Sequence, residues 1–146
     1  MMKFQFISNS RDETINLAKK IGLQLCPGDI IAFSGSLAAG KTTFTKGLAE
    51  ALEIDEIITS PTFTIISEYQ GKMPLYHIDA YRLSGGNDFY NLGIDEILFG
   101  NGITVIEWSE IVQSEIPENA IKINIEIIDN EKRKITIDNW KYGRIN

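Results

Sequence analysis

Residues 3–8 alternate between apolar and polar side chains, with Phe4 and Phe6 on one side, which predicts a half-buried strand. Asn9-Ser10-Arg11-Asp12-Glu13 then offers cap residues and early acids, so a helix is expected to follow. Ile15, Leu17, Ala18, Ile21 and Leu25 supply its apolar stripe, and Cys26-Pro27-Gly28-Asp29 should end it with turn chemistry. Ile30-Ile31-Ala32-Phe33 lacks alternation, the pattern of a strand covered on both faces. A glycine-framed loop comes next. Residues 43–52 then favour a helix that puts Phe44 and Leu48, with Ala51 or Leu52, on one face.

In the middle of the chain, Pro61 among hydroxyl residues marks a loop leading into a strand over 62–69, and Gln70-Gly71-Lys72 reads as a hairpin turn. The next strand, 73–80, sets Leu75, His77 and Asp79 on one face and Tyr76, Ile78 and Ala80 on the other. Residues 84–88 form a loop and cap, and 89–99 predict a short helix interrupted by Gly93. A second buried-type strand, 103–108, ends in Glu107 and Trp108. After Pro117, strands over 120–129 and 134–137 meet at the turn Asp129-Asn130-Glu131-Lys132, a hairpin expected at the sheet edge. The elements together specify an α/β protein with a mixed central sheet flanked by helices and a C-terminal edge hairpin.

Composition narrows this picture. A chain of 146 residues, 43% of them hydrophobic, can bury one sizeable core, so 1–146 is read as one domain. The net charge of −6 argues against unaided binding of a nucleic-acid backbone, which needs clustered Lys and Arg. Lys132-Arg133-Lys134 is read as the solvated end of the hairpin. No apolar run approaches the roughly 20 residues of a membrane span, and residues 1–9 lack a signal-peptide pattern, so the expected location is cytoplasmic. The single cysteine, Cys26, suits a reducing compartment and is expected simply to pack.

The chemistry is concentrated in Gly35-Ser36-Leu37-Ala38-Ala39-Gly40-Lys41-Thr42, which has the spacing of a P-loop and lies between a buried-type strand and a helix. Glycines let backbone amides wrap a phosphate closely. Lys41 would neutralise the β- and γ-phosphates, the helix start would add free amides and a positive dipole end, and the Thr42 hydroxyl suits Mg²⁺. Such a site also needs acids at neighbouring strand ends. Asp79 and Glu107 each close a strand-like run in the position of a Walker-B acid, one to bind the metal and the other to orient water, in either order. The guanine-specifying Asn-Lys-x-Asp signature is absent, which favours ATP. Trp108 is equally suited to stacking on a base or to packing in the core.

Five blocks then carry a resemblance that covers nearly the whole chain: Gly-x-Leu-x-Ala-Gly-Lys-Thr-Thr at 35–43, Ser60-Pro61-Thr62-Phe63-Thr64, Tyr76-His77-Ile78-Asp79-Ala80-Tyr81-Arg82-Leu83, Gly93-Ile94-Asp95-Glu96 and Ile106-Glu107-Trp108-Ser109-Glu110. In these the sequence resembles the bacterial TsaE (YjeE) family, the ATPase subunit of tRNA threonylcarbamoyladenosine biosynthesis. The resemblance implies a single P-loop ATPase domain in which 35–43, including Thr43, cradle ATP phosphates. It also implies that Thr42 and Glu107 ligate Mg²⁺, and that Asp79 lies near the γ-phosphate or its attacking water. Ser60 to Thr64 matches a switch-like segment with Thr64 as a γ-phosphate sensor, a nucleotide-contacting segment falls around Ser8 to Thr14, and Arg133 matches a late basic position. The implied partner is the TsaD–TsaB pair, which holds the tRNA, with no membrane and no direct RNA grip required of this chain. Ser36 and Ala38 stand where the family usually has Asp and Gly, changes expected to alter affinity or rate without abolishing binding.

The expected activity is therefore a Mg²⁺-dependent ATPase of low intrinsic turnover, stimulated by its partner. Two rivals compete with it. A small-molecule kinase would need arginines gathered over the transferred phosphate, whereas Arg11, Arg82, Arg133 and Arg144 are scattered in sequence. A nucleotide-gated binding module would use ATP to order the 60–64 loop, with hydrolysis incidental.

Overall fold

The two runs without alternation become the centre of the sheet: every residue of β5 (Ile103–Glu107) is buried, as are the first four of β2 (Ile30–Gly35). The computed structural model of the chain describes residues 2–35, 40–58, 66–80, 93–98, 100–107, 114 and 116–145. Around the centre run β1 (Met2–Ser8), α1 (Arg11–Gly22), α2 (Lys41–Ala51), β3 (Ile66–Tyr69), β4 (Leu75–Asp79), α3 (Ile94–Leu98), β6 (Ile121–Ile127) and β7 (Arg133–Trp140). The seven strands form one mixed sheet in the order β1-β7-β6-β2-β5-β4-β3. β2 runs parallel to both β5 and β6, and β4 runs parallel to β5. β3 and β7 run the other way, β3 on β4 and β7 between β6 and β1.

The expected hairpin forms, but it is not at the edge. β1 adds antiparallel to β7, with Phe4 opposite Ile137 and Phe6 opposite Ile135, so the N-terminal strand is the outermost one on that side. The alternating phenylalanines of β1 need an apolar surface beside them, and the alternating isoleucines of β7 supply it. Strand β7 also runs on to Trp140, which is fully buried.

α1 and α2 cover one face of the sheet. Ala18 and Ile21 of α1 and Phe44 and Leu48 of α2 pack with Phe33, Val105, Ile123 and Ile135 in the main core. On the opposite face Leu98 of α3 joins Ile30, Ile78, Ile106 and Ala120 in a smaller one. Ser10 caps α1 as its residue type suggests, accepting the Glu13 N–H at 3.1 Å. The helix stops at Gly22, earlier than the stripe reaching Leu25 suggests. Leu25 N–H instead bonds to the Gly22 carbonyl at 3.3 Å, a tighter winding that turns Leu25 into the core while Leu23 stays exposed. Cys26 is exposed rather than packed; its backbone N–H bonds to the Asp29 carboxylate at 2.7 Å.

The helices touch each other through small residues. A Cβ at Gly47 would lie 2.4 Å from the Ile15 carbonyl oxygen and 2.5 Å from Ala18 Cβ. Gly47→Ala should therefore destabilise the fold by about 1–3 kcal/mol through overpacking, although alanine is the better helix former. Urea unfolding of the variant checks the sign.

The C-terminal residues fasten onto the start of β2. Asp29, 4% exposed, accepts the Tyr142 hydroxyl at 2.6 Å and lies 3.1 Å from the Lys141 ammonium. Burial first, and then the hydrogen bond to Asp29, push the Tyr142 phenol well above its ordinary range. A raised pKa stabilises the fold fully while the unfolded phenol is still protonated, below about pH 10, and that stability is lost as pH rises further. Tyr142→Phe should accordingly flatten the loss of melting temperature above about pH 10 relative to the wild type.

Candidate functional site

The carboxyl ends of β2, β5 and β4 bring together what sequence spacing separates. Gly35 ends β2, Glu107 ends β5 and Asp79 ends β4, with Asp79 in register beside Glu107. In a parallel sheet, residues in register share a face, and Ile31 pairs with Val105 as His77 does. Gly35, Glu107, His77 and Asp79 therefore all lie on the face covered by α2. The acids sit on adjacent strands beside the one that leads into the loop, as expected for them.

The loop frame explains its glycines. Gly35 has φ +121°, and a Cβ there would lie 2.3 Å from the Ile125 carbonyl oxygen of β6, so neither conformation nor space admits a side chain. Gly40 has φ +113° but nothing within 4 Å of the Cβ position, so only its conformation demands glycine. Gly40 caps α2 without a side-chain hydrogen bond. Lys41, the first residue of α2, is 6% exposed, and its backbone carbonyl accepts the Thr45 hydroxyl at 2.9 Å. Thr42 and Thr43 are half-buried on the same first turn. A buried ammonium on the positive end of a helix makes this corner strongly attractive to an anion. Ser36, Leu37, Ala38 and Ala39 lie outside the described residues, as do Thr64 and Trp108.

Glu107 is 7% exposed and is held by His77, which is fully buried and whose Nε2 contacts the Glu107 Oε2. Asp79, half-buried, stands one strand further out. Among the described residues no three His, Cys, Asp or Glu side chains gather into a metal cluster. Any divalent cation at this corner would combine one or two carboxylates with a hydroxyl, water and phosphate oxygens, a ligand set that suits Mg²⁺.

A cavity of about 300 Å³ opens beside the loop. Ser10, Arg11 and Thr14 line it from the start of α1, Gly40 and Thr43 from the start of α2, and Asn130, Glu131 and Arg133 from the β6–β7 turn. Thr14, Thr43 and Arg133, far apart in the sequence, are thus neighbours. Thr14 is buried, and its hydroxyl is 2.6 Å from that of Ser8, so it shapes the wall. Arg133 folds back on the turn, donating from Nη1 to the carbonyls of Asp129 at 2.8 Å and Asn130 at 3.3 Å. Asp129 tightens the same turn by accepting the Lys132 N–H at 3.0 Å. Asn130 and Glu131 read as turn residues only, and nothing local in the sequence signals that the turn reaches the loop.

A strand, a glycine-framed loop and a helix that starts with a buried lysine, flanked by acids at the ends of adjacent parallel strands, define a P-loop NTPase fold. A family model described as "Threonylcarbamoyl adenosine biosynthesis protein TsaE" matches residues 8–135. The tRNA threonylcarbamoyladenosine biosynthesis protein TsaE of Treponema pallidum is 44% identical over 131 residues, covering 90% of this chain and 97% of that protein. The Bacillus subtilis protein of the same name is 40% identical over 137 residues, covering 93% and 85%. The crystal structure of Bacillus subtilis YdiB superposes with a TM-score of 0.78 at 37% identity, covering 93% of this chain and 84% of that one. The chain belongs to the TsaE family.

The two loop glycines should respond differently to substitution. Gly40→Ala should cost about 1–2 kcal/mol from backbone strain alone, and Gly35→Ala more, because strain and overpacking coincide. Denaturant midpoints of the two variants provide the comparison.

Proposed function

We propose that the chain binds ATP and Mg²⁺ at this corner, hydrolyses ATP slowly, and acts on the TsaD–TsaB pair in the threonylcarbamoylation of tRNA adenosine. Family membership ties it to that modification pathway, and with it to the cytoplasm. The observation that carries the nucleotide reading is the buried Lys41 on the first turn of α2, directly after a loop whose framing residues are confined to glycine by conformation.

The residues present fit the ligand. Gly35 and Gly40 keep side chains off the loop where backbone amides must approach phosphate. Lys41 and the α2 amides balance the phosphate charge, and Thr42 and Glu107 would hold Mg²⁺. When bound, Mg²⁺ offsets charge on the phosphate oxygens during transfer. Asp79, level with Glu107 on the next strand, would orient the attacking water. The cavity between α1 and the β6–β7 turn, walled by Thr14, Thr43 and Arg133, would receive the nucleoside. With a net charge of −6, the chain depends on a partner to hold the RNA.

Phosphate release from ATP is to be measured for the protein alone, with TsaD–TsaB and with a panel of small acceptors. Slow release that rises with TsaD–TsaB supports the proposal, and efficient transfer to an acceptor without partners would favour a kinase. ATP-dependent partner binding that survives loss of hydrolysis in Asp79→Asn would favour a gated module. Lys41→Ala should weaken ATP binding about 10–100-fold, the worth of a charge-assisted hydrogen bond. Glu107→Ala should chiefly weaken Mg²⁺ dependence. Unchanged titrations in both would refute the site.

A further inference from the structure

His77 is the chain's single histidine, and the loop chemistry makes no use of it. It is 0% exposed, beside Leu75 and Val105, which are also fully buried, so an aliphatic side chain would suit that layer better on transfer energy alone. Its Nε2 contacts Glu107 Oε2, while Nδ1 is buried with no hydrogen-bond partner among the described residues. The imidazole is thus committed to one contact. The strand register fixes that contact: His77 is level with Val105 and Asp79 with Glu107, so the two side chains meet diagonally across parallel strands.

We infer that His77 is a positioning residue for the divalent cation: its Nε2–H donates to Glu107 Oε2, pins the carboxylate, and leaves Oε1 as the oxygen available to the metal. This rests on the reading of Glu107 as a metal ligand. A carboxylate at a strand end has free rotation about its last torsions, and a donor on one oxygen removes that freedom before the cation arrives. With Glu107 as a carboxylate, the contact puts a proton on Nε2, and in a neutral ring Nδ1 is then an acceptor. That is the less costly arrangement for a nitrogen with nothing to donate to. Asp79 lies on the same face of the sheet, two residues on from His77 in the same strand.

Two measurements test the inference. In protein labelled with ¹⁵N-histidine, the single imidazole should show the Nε2-protonated tautomer. Its Nε2 resonance should move when Mg²⁺ is added to the complex with a non-hydrolysable ATP analogue. An Nδ1-protonated ring, or one indifferent to Mg²⁺, overturns the inference without any variant. Mn²⁺ titrations followed by electron paramagnetic resonance, with the same analogue bound, then compare His77→Leu, His77→Gln and Glu107→Gln. His77→Leu should weaken Mn²⁺ binding about 10–100-fold, the usual effect of losing a partner of a metal ligand. His77→Gln, whose amide can donate to the same oxygen, should restore most of that affinity. Analogue binding in EDTA should be equal in the wild type and the two His77 variants. If Glu107→Gln loses Mn²⁺ and His77→Leu does not, or if Gln is as poor as Leu, His77 has no positioning role. If Glu107→Gln binds Mn²⁺ normally, the metal assignment fails and takes the inference with it. Should His77→Leu not fold, the tautomer and the His77→Gln titration decide alone.

Discussion

The position of α2 over β2 is the constraint on which the candidate site depends. Phe33 of β2 and Phe44 of α2 meet edge to face, with centroids 5.4 Å apart and rings at 80°, both fully buried. Such a pair contributes about 0.5–1.5 kcal/mol beyond its burial. More important than the energy is its place, three residues into the helix and two before the end of the strand. With the end of the strand and the helix's first turn both anchored in one core, the intervening loop is held at both ends. Gly47 then lets α1 close on the other flank of α2, so the helix can neither slide nor tilt without breaking a packed contact.

The acids are placed by a different rule. Parallel pairing of β2, β5 and β4 aligns their carboxyl ends, and whichever residues end those strands meet at one corner. Evenly spaced parallel bonds leave little tolerance in register, and a slip of one residue would turn Glu107 away from α2 and into the smaller core. The buried His77–Glu107 contact is satisfied only in the observed register. The same interaction that orients a carboxylate therefore also discriminates against a misaligned sheet.

Much of this was readable from residue order. Glycine spacing indicates the framed loop between strand and helix, and acids after apolar runs indicate strand ends, because both patterns follow from local backbone physics. What could not be read depends on contacts between distant segments. That Arg133 and Thr14 line one cavity follows from β1 adding outside β7, a choice made by matching faces and not by any turn signal. The same addition displaced the hairpin from the edge. Trp140 was obscured because its strand begins with a run of charged residues, and its burial depends on the segment that fastens to Asp29. Alternation puts His77 on the correct face, but a face does not reveal which acid it will meet. The expected roles of Ser36, Leu37, Ala38, Ala39, Thr64 and Trp108 fall outside the described residues.

The tight approach of Gly35 to Ile125 also bears on the order in which the molecule is made. The neighbouring pair Ser34 and Asn124, hydrogen-bonded at 3.0 Å, lies 90 residues apart in the chain. Pairing of β2 with β6 closes a very long loop, a slow event whose entropic cost must be met before its contacts form. During synthesis, β2 and α2 emerge early but wait for β6 before the floor beneath the glycine is complete. The floor beneath Gly35 is therefore complete only once β6 has paired, and a chain truncated before residue 125 would carry the glycine-framed loop without it.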